Sequence, residues 1–359
     1  MSKRKVSVVK RDRSIVRWIR SLASALTIGA LTSVAHAQTS DTAQRPPGMP
    51  AAPPDMAQNA PSVALFYGMH PPVAQLSAFD IAVVDPDAQF DPAAQVKSGS
   101  KSPGKMKSGA ISDSQSEPQS PSVPSTHTAW FAYVSVGEIN PQRAYFADVP
   151  KAWMPSINKD WASHVVDQTA AGWPTFFLDH VVTPLWRKGY RGFFLDTLDS
   201  YQLISHDDAQ RTAQQAGLLK VIRGIKRRYP KAQLIFNRGF ELMPQLHDQV
   251  YMVAFESLYN GWNAGKQTYT QVPQTDRDWL LGQAHTIRDQ YKLPVLSIDY
   301  CAPDDTVCQR ATVERIVGDG LIPYVTDGGL STVGVGVAVL TQMGTDAAAS
   351  GSAPVVHHP

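Results

Sequence analysis

The sequence predicts an α/β fold of the (β/α)8 barrel kind, on three observations. Eight short apolar runs punctuate the chain, the later ones alternating with helix-like segments, and most of them end in a polar or charged residue. Short apolar runs read as buried strands. Repeated strand-then-helix order demands parallel strands with right-handed crossovers, and eight such units suggest a closed barrel. The rival is an open doubly wound sheet, which binds its ligand at a glycine-rich turn after the first strand. Tyr67-Gly68-Met69-His70-Pro71-Pro72 is not such a turn.

The strands are expected at Val63–Tyr67, Ile81–Val84, Trp130–Val136, Gly192–Leu195, Leu234–Phe236, Tyr251–Phe255, Val295–Ile298 and Ile322–Val325. Helices are expected at Trp173–Lys188, Asp207–Arg228, Asp276–Tyr291 and Asp305–Val317. In the second, Ala209, Ala213, Ala216, Leu219 and Ile222 recur at helical spacing, Asp207 or Asp208 caps the start, and Pro230 closes the end. The fourth starts after Pro303-Asp304, again a cap signature.

Three stretches do not fit a packed core. Residues 38–60 are rich in Pro, Ala and Gln and read as a flexible leader. Residues 91–127 are rich in Ser, Pro, Lys and Gly and read as a disordered insertion rather than a linker between domains. Residues 344–359 form a low-complexity tail. The folded domain is therefore expected at 61–343.

Residues 1–37 read as a secretory signal: eight Lys/Arg, an apolar stretch from Leu22 to Val34, then Ala35-His36-Ala37 as a small-x-small cleavage site. The apolar stretch falls short of the roughly 20 residues that span a bilayer, so no membrane span is expected after cleavage; the alternative is an uncleaved membrane anchor. The segment holds 8 of the chain's 33 Lys+Arg and one of its 31 Asp+Glu. What remains is mildly acidic, which removes the electrostatic basis for nucleic-acid binding and suits a cationic ligand. Periplasmic or secreted location follows. Cys301 and Cys308 can close a small loop in an oxidising compartment. No Cys/His cluster suggests a metal, and no P-loop or Gly-x-Ser-x-Gly elbow appears, so no cofactor is expected.

The strand ends carry the candidate chemistry: Tyr67, Asp85, Glu138, Asp196 with Asp199, Asn237-Arg238, Glu256, Asp299-Tyr300 and Asp327. In a barrel all of these gather on one face. Strands four and six contribute to the same layer, so Asp196 and Glu256 are expected to face each other. Two opposed carboxylates are the minimum equipment for glycoside hydrolysis, and their repulsion and burial raise one pKa toward neutrality. Simpler roles compete. Asp85 and Asp327 are equally read as caps, Asp199 as a supporting partner or helix cap, and Glu138 as an ion-pair partner of Arg238. The aromatics Tyr67, Tyr133, Tyr201, Tyr259, Trp262 and Tyr300 suit sugar stacking or ordinary packing.

Tyr133-Val134-Ser135-Val136-Gly137-Glu138, Gly192-Phe193-Phe194-Leu195-Asp196-Thr197-Leu198-Asp199, Asn237-Arg238-Gly239 and Phe255-Glu256-Ser257 together resemble glycoside hydrolase family 114. They resemble still more closely its relative, family 166, that of the hydrolase domain of Pel exopolysaccharide systems. The resemblance runs from about Ala64 to Val337. It implies an endo-acting hydrolase of α-1,4-linked galactosamine and N-acetylgalactosamine polymer, partly deacetylated and cationic. Asp196 and Glu256 would hold the catalytic positions, with Glu138 lining the groove. Tyr67, Asp85, Asp199, Asn237, Arg238, Tyr259, Asp299 and Tyr300 would bind substrate. The alternative is a non-catalytic polysaccharide-binding barrel in an export or biofilm assembly, partnered by exopolysaccharide export proteins.

Overall fold

The computed structural model describes residues 60–98 and 128–336. The expected signal segment, the leader up to residue 59, the insertion from residue 99 onward and the tail lie outside those residues. Eight parallel strands form one sheet: β1 Val63–Phe66, β2 Ile81–Val84, β3 Ala129–Ser135, β4 Gly192–Asp196, β5 Gln233–Asn237, β6 Met252–Glu256, β7 Val295–Tyr300 and β8 Ile322–Thr326. Each pairs with the next in chain order, from β1 to β8. Strands buried on both faces need near-continuous apolar runs; Val63-Ala-Leu-Phe66 and Ile81-Ala-Val-Val84 are buried at every position.

The barrel closes at β1 and β8 without a ladder between them. Thr326 of β8 accepts from Cys301 on the β7 side, so Val325 and Pro323 turn their backbones toward the seam. Pro323 has no N–H to offer there, as befits a strand edge. The chain after β8 doubles back instead: Val325 exchanges two backbone bonds with Val335, and the Tyr67 N–H reaches the Leu330 carbonyl. Asp327 fixes this return by accepting from Gly329, Ser331 and Thr332. Inside, the Tyr324 hydroxyl donates 2.7 Å to the Leu65 carbonyl across the seam.

The helices lie where periodicity placed them. Helical backbone runs from Trp173 to Lys188, with a wider turn at Leu178–Val182. It stops at Gly189, whose φ of 115° few other residues adopt. Asp207 caps Asp208–Arg228 by accepting from the Gln210 N–H, and Asp305 caps Thr306–Gly318 through Cys308. Gln274–His285 begins after Pro273, two residues before the expected Asp276. No helix among the described residues is long and apolar enough to cross a membrane.

Two features differ from expectation. Residues 92–98, at the start of the expected disordered insertion, form a helix. Phe90, just before it, is buried against Trp130 at 4.4 Å, which gives this end of the segment a core contact. Two small antiparallel sheets also stand on the barrel. One joins Glu138–Ile139, Ser156–Asn158 and Ser163–Val165; the other pairs Asn260–Asn263 with Thr268–Gln271. Their strands are short and mostly polar, so they carry no apolar run to be read.

Candidate active site

Side chains alternate along a strand, so the residues that share a barrel interior are set by parity. On β3 these are Tyr133 and Ser135, and on β4 Phe194 and Asp196; β1 supplies Leu65, followed by Tyr67; β6 supplies Glu256 and β7 supplies Ile298. All line a cleft of about 550 Å³ at the carboxyl ends of the strands, whose wall also includes Asp85, Asp87, Glu138, Arg143, Asp199 and Arg238. The C-terminal mouth is where barrel enzymes place their chemistry.

Asp196 and Glu256 are joined by a single amide. The Asn237 Nδ2 donates 2.8 Å to Asp196 Oδ1 and 2.9 Å to Glu256 Oε1. The two oxygens that share it therefore lie at most about 5.7 Å apart. The outer oxygens are held by phenols: Tyr133 donates 2.7 Å to Asp196 Oδ2, and Tyr300 donates to Glu256 Oε2. Tyr133, Asp196, Asn237, Glu256 and Tyr300 thus form one continuous chain across neighbouring strands, from β3 to β7.

Burial first, and the charge of Glu256 second, push the Asp196 carboxyl up to about 7, against the bonds from Tyr133, Thr197 and Asn237 that favour its anion. Burial raises both phenols well above their ordinary range, with Asp196 adding to the effect on Tyr133 and Glu256 to that on Tyr300. Both therefore remain donors at any physiological pH.

The residues that follow β4, β5 and β6 are all left-handed: Thr197 at φ 61°, Arg238 at 58° and Ser257 at 63°. A β-branched residue in that region is strained, and such strain gathers at sites where the surroundings enforce it. Thr197 is enforced by Gly137, whose N–H donates 2.8 Å to Thr197 Oγ1. A Cβ on Gly137 would lie 2.0 Å from the Thr197 carbonyl oxygen. Gly137→Ala is expected to displace this turn and Asp196 with it, lowering stability by about 2–3 kcal/mol and turnover by at least about tenfold. Thermal denaturation and reducing-end release check the two effects.

Several candidates occupy other roles than expected. Glu138 does not pair with Arg238: its carboxylate, 3% exposed, accepts from Asn158, Ser163 and Ser200 and so ties the three-stranded sheet to the turn after β4. Arg238 faces Asp199 instead, at 3.9 Å. Asp85 caps no helix; it binds Arg143 through both oxygens at 3.0 Å, with Asp87 on the same guanidinium at 2.7 Å.

Asp299 and Tyr259 do not reach the cleft. On β7 the parity that turns Ile298 and Tyr300 inward turns Ser297 and Asp299 outward. Asp299 is fully buried there, accepting from Ser297 and from the N–H groups of Leu258, Tyr259 and Asn260. It fixes the turn that follows Glu256. Tyr259 points away, its ring under Arg315 and its hydroxyl bonded to Asp319. The aromatic and neutral members of the cleft wall from the 140–163 region, Asn140, Gln142, Tyr145, Asn158, Trp161 and Ser163, gave no sequence signal, because they sit on the small sheet and its loops. Cys301 and Cys308 form a disulfide directly after Tyr300.

A parallel barrel with opposed acids at its carboxyl mouth defines the class of barrel glycosidases. The model of glycoside-hydrolase family GH114 matches residues 42–342, and the chain belongs to that family of glycoside hydrolases. It is similar to the glycoside hydrolase domain of PelA from Pseudomonas aeruginosa, at 34% identity and a TM-score of 0.64 over 77% of this chain and 98% of that one. Ega3 of Aspergillus fumigatus, solved in complex with galactosamine, shares the fold at 11% identity and a TM-score of 0.55, over 82% of this chain and all of that one. An uncharacterised protein of Deinococcus radiodurans is 24% identical over 206 residues, 54% of this chain and 62% of that relative's length.

Proposed function

We propose that the chain is an endo-acting hydrolase of α-1,4-linked galactosamine and N-acetylgalactosamine exopolysaccharide, with Asp196 and Glu256 as its catalytic pair. One observation carries the reading: two carboxylates held by one amide, in the wall of an acidic cleft. Six carboxylates line that cleft against the guanidiniums of Arg143 and Arg238, a balance that draws a partly cationic aminosugar chain. Galactosamine is the sugar bound by Ega3. The catalytic domain is assigned to residues 61–343, behind an export signal at 1–37. The Cys301–Cys308 bridge suits a periplasmic or extracellular setting.

The test is incubation with purified galactosamine polymer and mass spectrometry of the products. Internal fragments of several lengths are expected. Tight binding with no new reducing ends over a long incubation would leave the barrel a polysaccharide-binding module.

Carboxyl groups about 5–5.5 Å apart leave no room for a water between nucleophile and sugar and act by double displacement, whereas inverting pairs stand about 6.5–9.5 Å apart. The amide-limited separation here favours the first. The anomeric configuration at each new reducing end should therefore be retained, and proton NMR within the first minutes of reaction should show the α anomer before mutarotation. Initial β anomer would contradict this geometry.

A further inference from the structure

The turn that leaves β6 is held by a series of contacts that ends in the disulfide. Ser257, directly after Glu256, is left-handed, and its N–H donates 2.8 Å to the Ile298 carbonyl. A left-handed residue other than glycine persists only where its surroundings over-determine it. Asp299 supplies part of that constraint through the N–H groups of Leu258, Tyr259 and Asn260. The rest comes from a helix. The Asn260 side chain donates 2.6 Å to Thr312 Oγ1, on the helix Thr306–Gly318. Thr312 is buried, and its hydroxyl lies 3.7 Å from Cys301 Sγ and 4.0 Å from Cys308 Sγ.

Residues four apart share one face of a helix, so Cys308 and Thr312 look the same way. The first is bonded to Cys301, directly after β7, and the second holds Asn260, at the end of the β6 turn. Cys301 is itself fixed by its N–H, 3.0 Å from the Thr326 carbonyl of β8. Tyr300, whose hydroxyl donates to Glu256, is the residue before Cys301. One helix face thus clamps two supports of the Glu256 carboxylate: the chain that follows it and the phenol that binds it. None of the three residues lines the cleft, so any effect on the sugar must pass through others. We propose that the Cys301–Cys308 bridge and Thr312 act in series as positioning residues for Glu256, locking the β6 turn to the end of β7. This role rests on Glu256 acting on the polymer as proposed above, and adds what holds it in place.

The experiment uses the full chain and galactosamine polymer, at a temperature where circular dichroism shows every variant folded. Thr312→Val keeps the side-chain shape and removes the acceptor of Asn260, whereas Thr312→Ser keeps the hydroxyl. Cys301→Ala together with Cys308→Ala opens the bridge. Thr312→Val and the double cysteine variant are each expected to lower kcat about tenfold or more, the scale of a reacting group misplaced by an ångström or less, with KM unchanged. Thr312→Ser should restore kcat. A role in stability alone would lower Tm and leave kcat untouched. Wild-type kcat in either folded variant overturns the proposal, since the two supports act in series. So does a loss carried in KM alone, or a Thr312→Ser variant as slow as Thr312→Val. Where one variant does not fold, the other decides. A wild type that cleaves no polymer sinks the polymer reading, and carboxyl NMR then decides this one. The charge of Glu256 helps to hold the Asp196 pKa up, so displacing Glu256 in Thr312→Val should lower the Asp196 midpoint, and Thr312→Ser should restore it. An unmoved midpoint overturns the proposal.

Discussion

Glu256→Gln and Asp196→Asn are each expected to lower polymer cleavage by at least about a thousandfold, the scale on which acid–base and nucleophilic groups act. Neither change alters side-chain volume, and each keeps one oxygen able to accept from Tyr300 or Tyr133. The fold should therefore survive, which circular dichroism and a cooperative melt will show. The two residues share one amide and, in the proposed reaction, act on one sugar, so their effects should not add. The double variant is expected to be no slower than the worse single variant by more than a few-fold. Wild-type-like cleavage by either single variant removes that residue from the chemistry.

Parity explains why only part of this site was legible in the sequence. Asp196, Glu256 and Asp299 look alike there: each follows an apolar run at a strand end. The structure separates them because β7 continues through Asp299 to Tyr300, whereas β4 and β6 end on their acids. Ile298, not Asp299, stands opposite Glu256, so the next residue, Asp299, points out of the barrel and Tyr300 points into it. A reading of where apolar runs stop cannot resolve a difference of one residue, since an acid inside a strand also ends the run. The barrel itself was legible because eight buried parallel strands must be apolar throughout and their helices must start at caps such as Asp207 and Asp305.

Asn237 shows a second limit. It was recognisable as a polar strand end, yet its role depends on β5 lying between β4 and β6, so that one amide can donate to both neighbours. That is a property of the closed sheet and of no local pattern. The partners of Glu138 and Arg238 were misread for a related reason. Glu138 reaches Ser163 and Asn158 on the short polar sheet after β3, and Arg238 faces Asp199 in the turn after β4, elements that carry no apolar run to be read.

The raised pKa of Asp196 has consequences for both activity and stability, with signs that can be worked out. The carboxylate pair works with one proton, since one group must donate while the other attacks or assists. The last proton leaves the pair near the Asp196 value of about 7. kcat/KM is therefore expected to fall about tenfold per pH unit above 7, whichever residue formally holds the proton. For stability, an unfolded Asp titrates near 3.9, so between about 4 and about 7 the native state binds more protons than the unfolded chain. Stability then falls as pH rises through that window and levels off above it. At pH 8 the buried anion costs the fold up to a few kcal/mol, since each tenfold difference in proton affinity between folded and unfolded chain is worth about 1.4 kcal/mol. Asp196→Asn removes the ionisation, so its Tm relative to wild type should be several degrees higher at pH 8 than at pH 5. The stability measurement needs no substrate, which keeps it clear of titrating amines on the polymer. An unchanged Tm difference between the two pH values would show that Asp196 ionises as an ordinary carboxylate, and the alkaline limb of the rate profile would then have to come from another group.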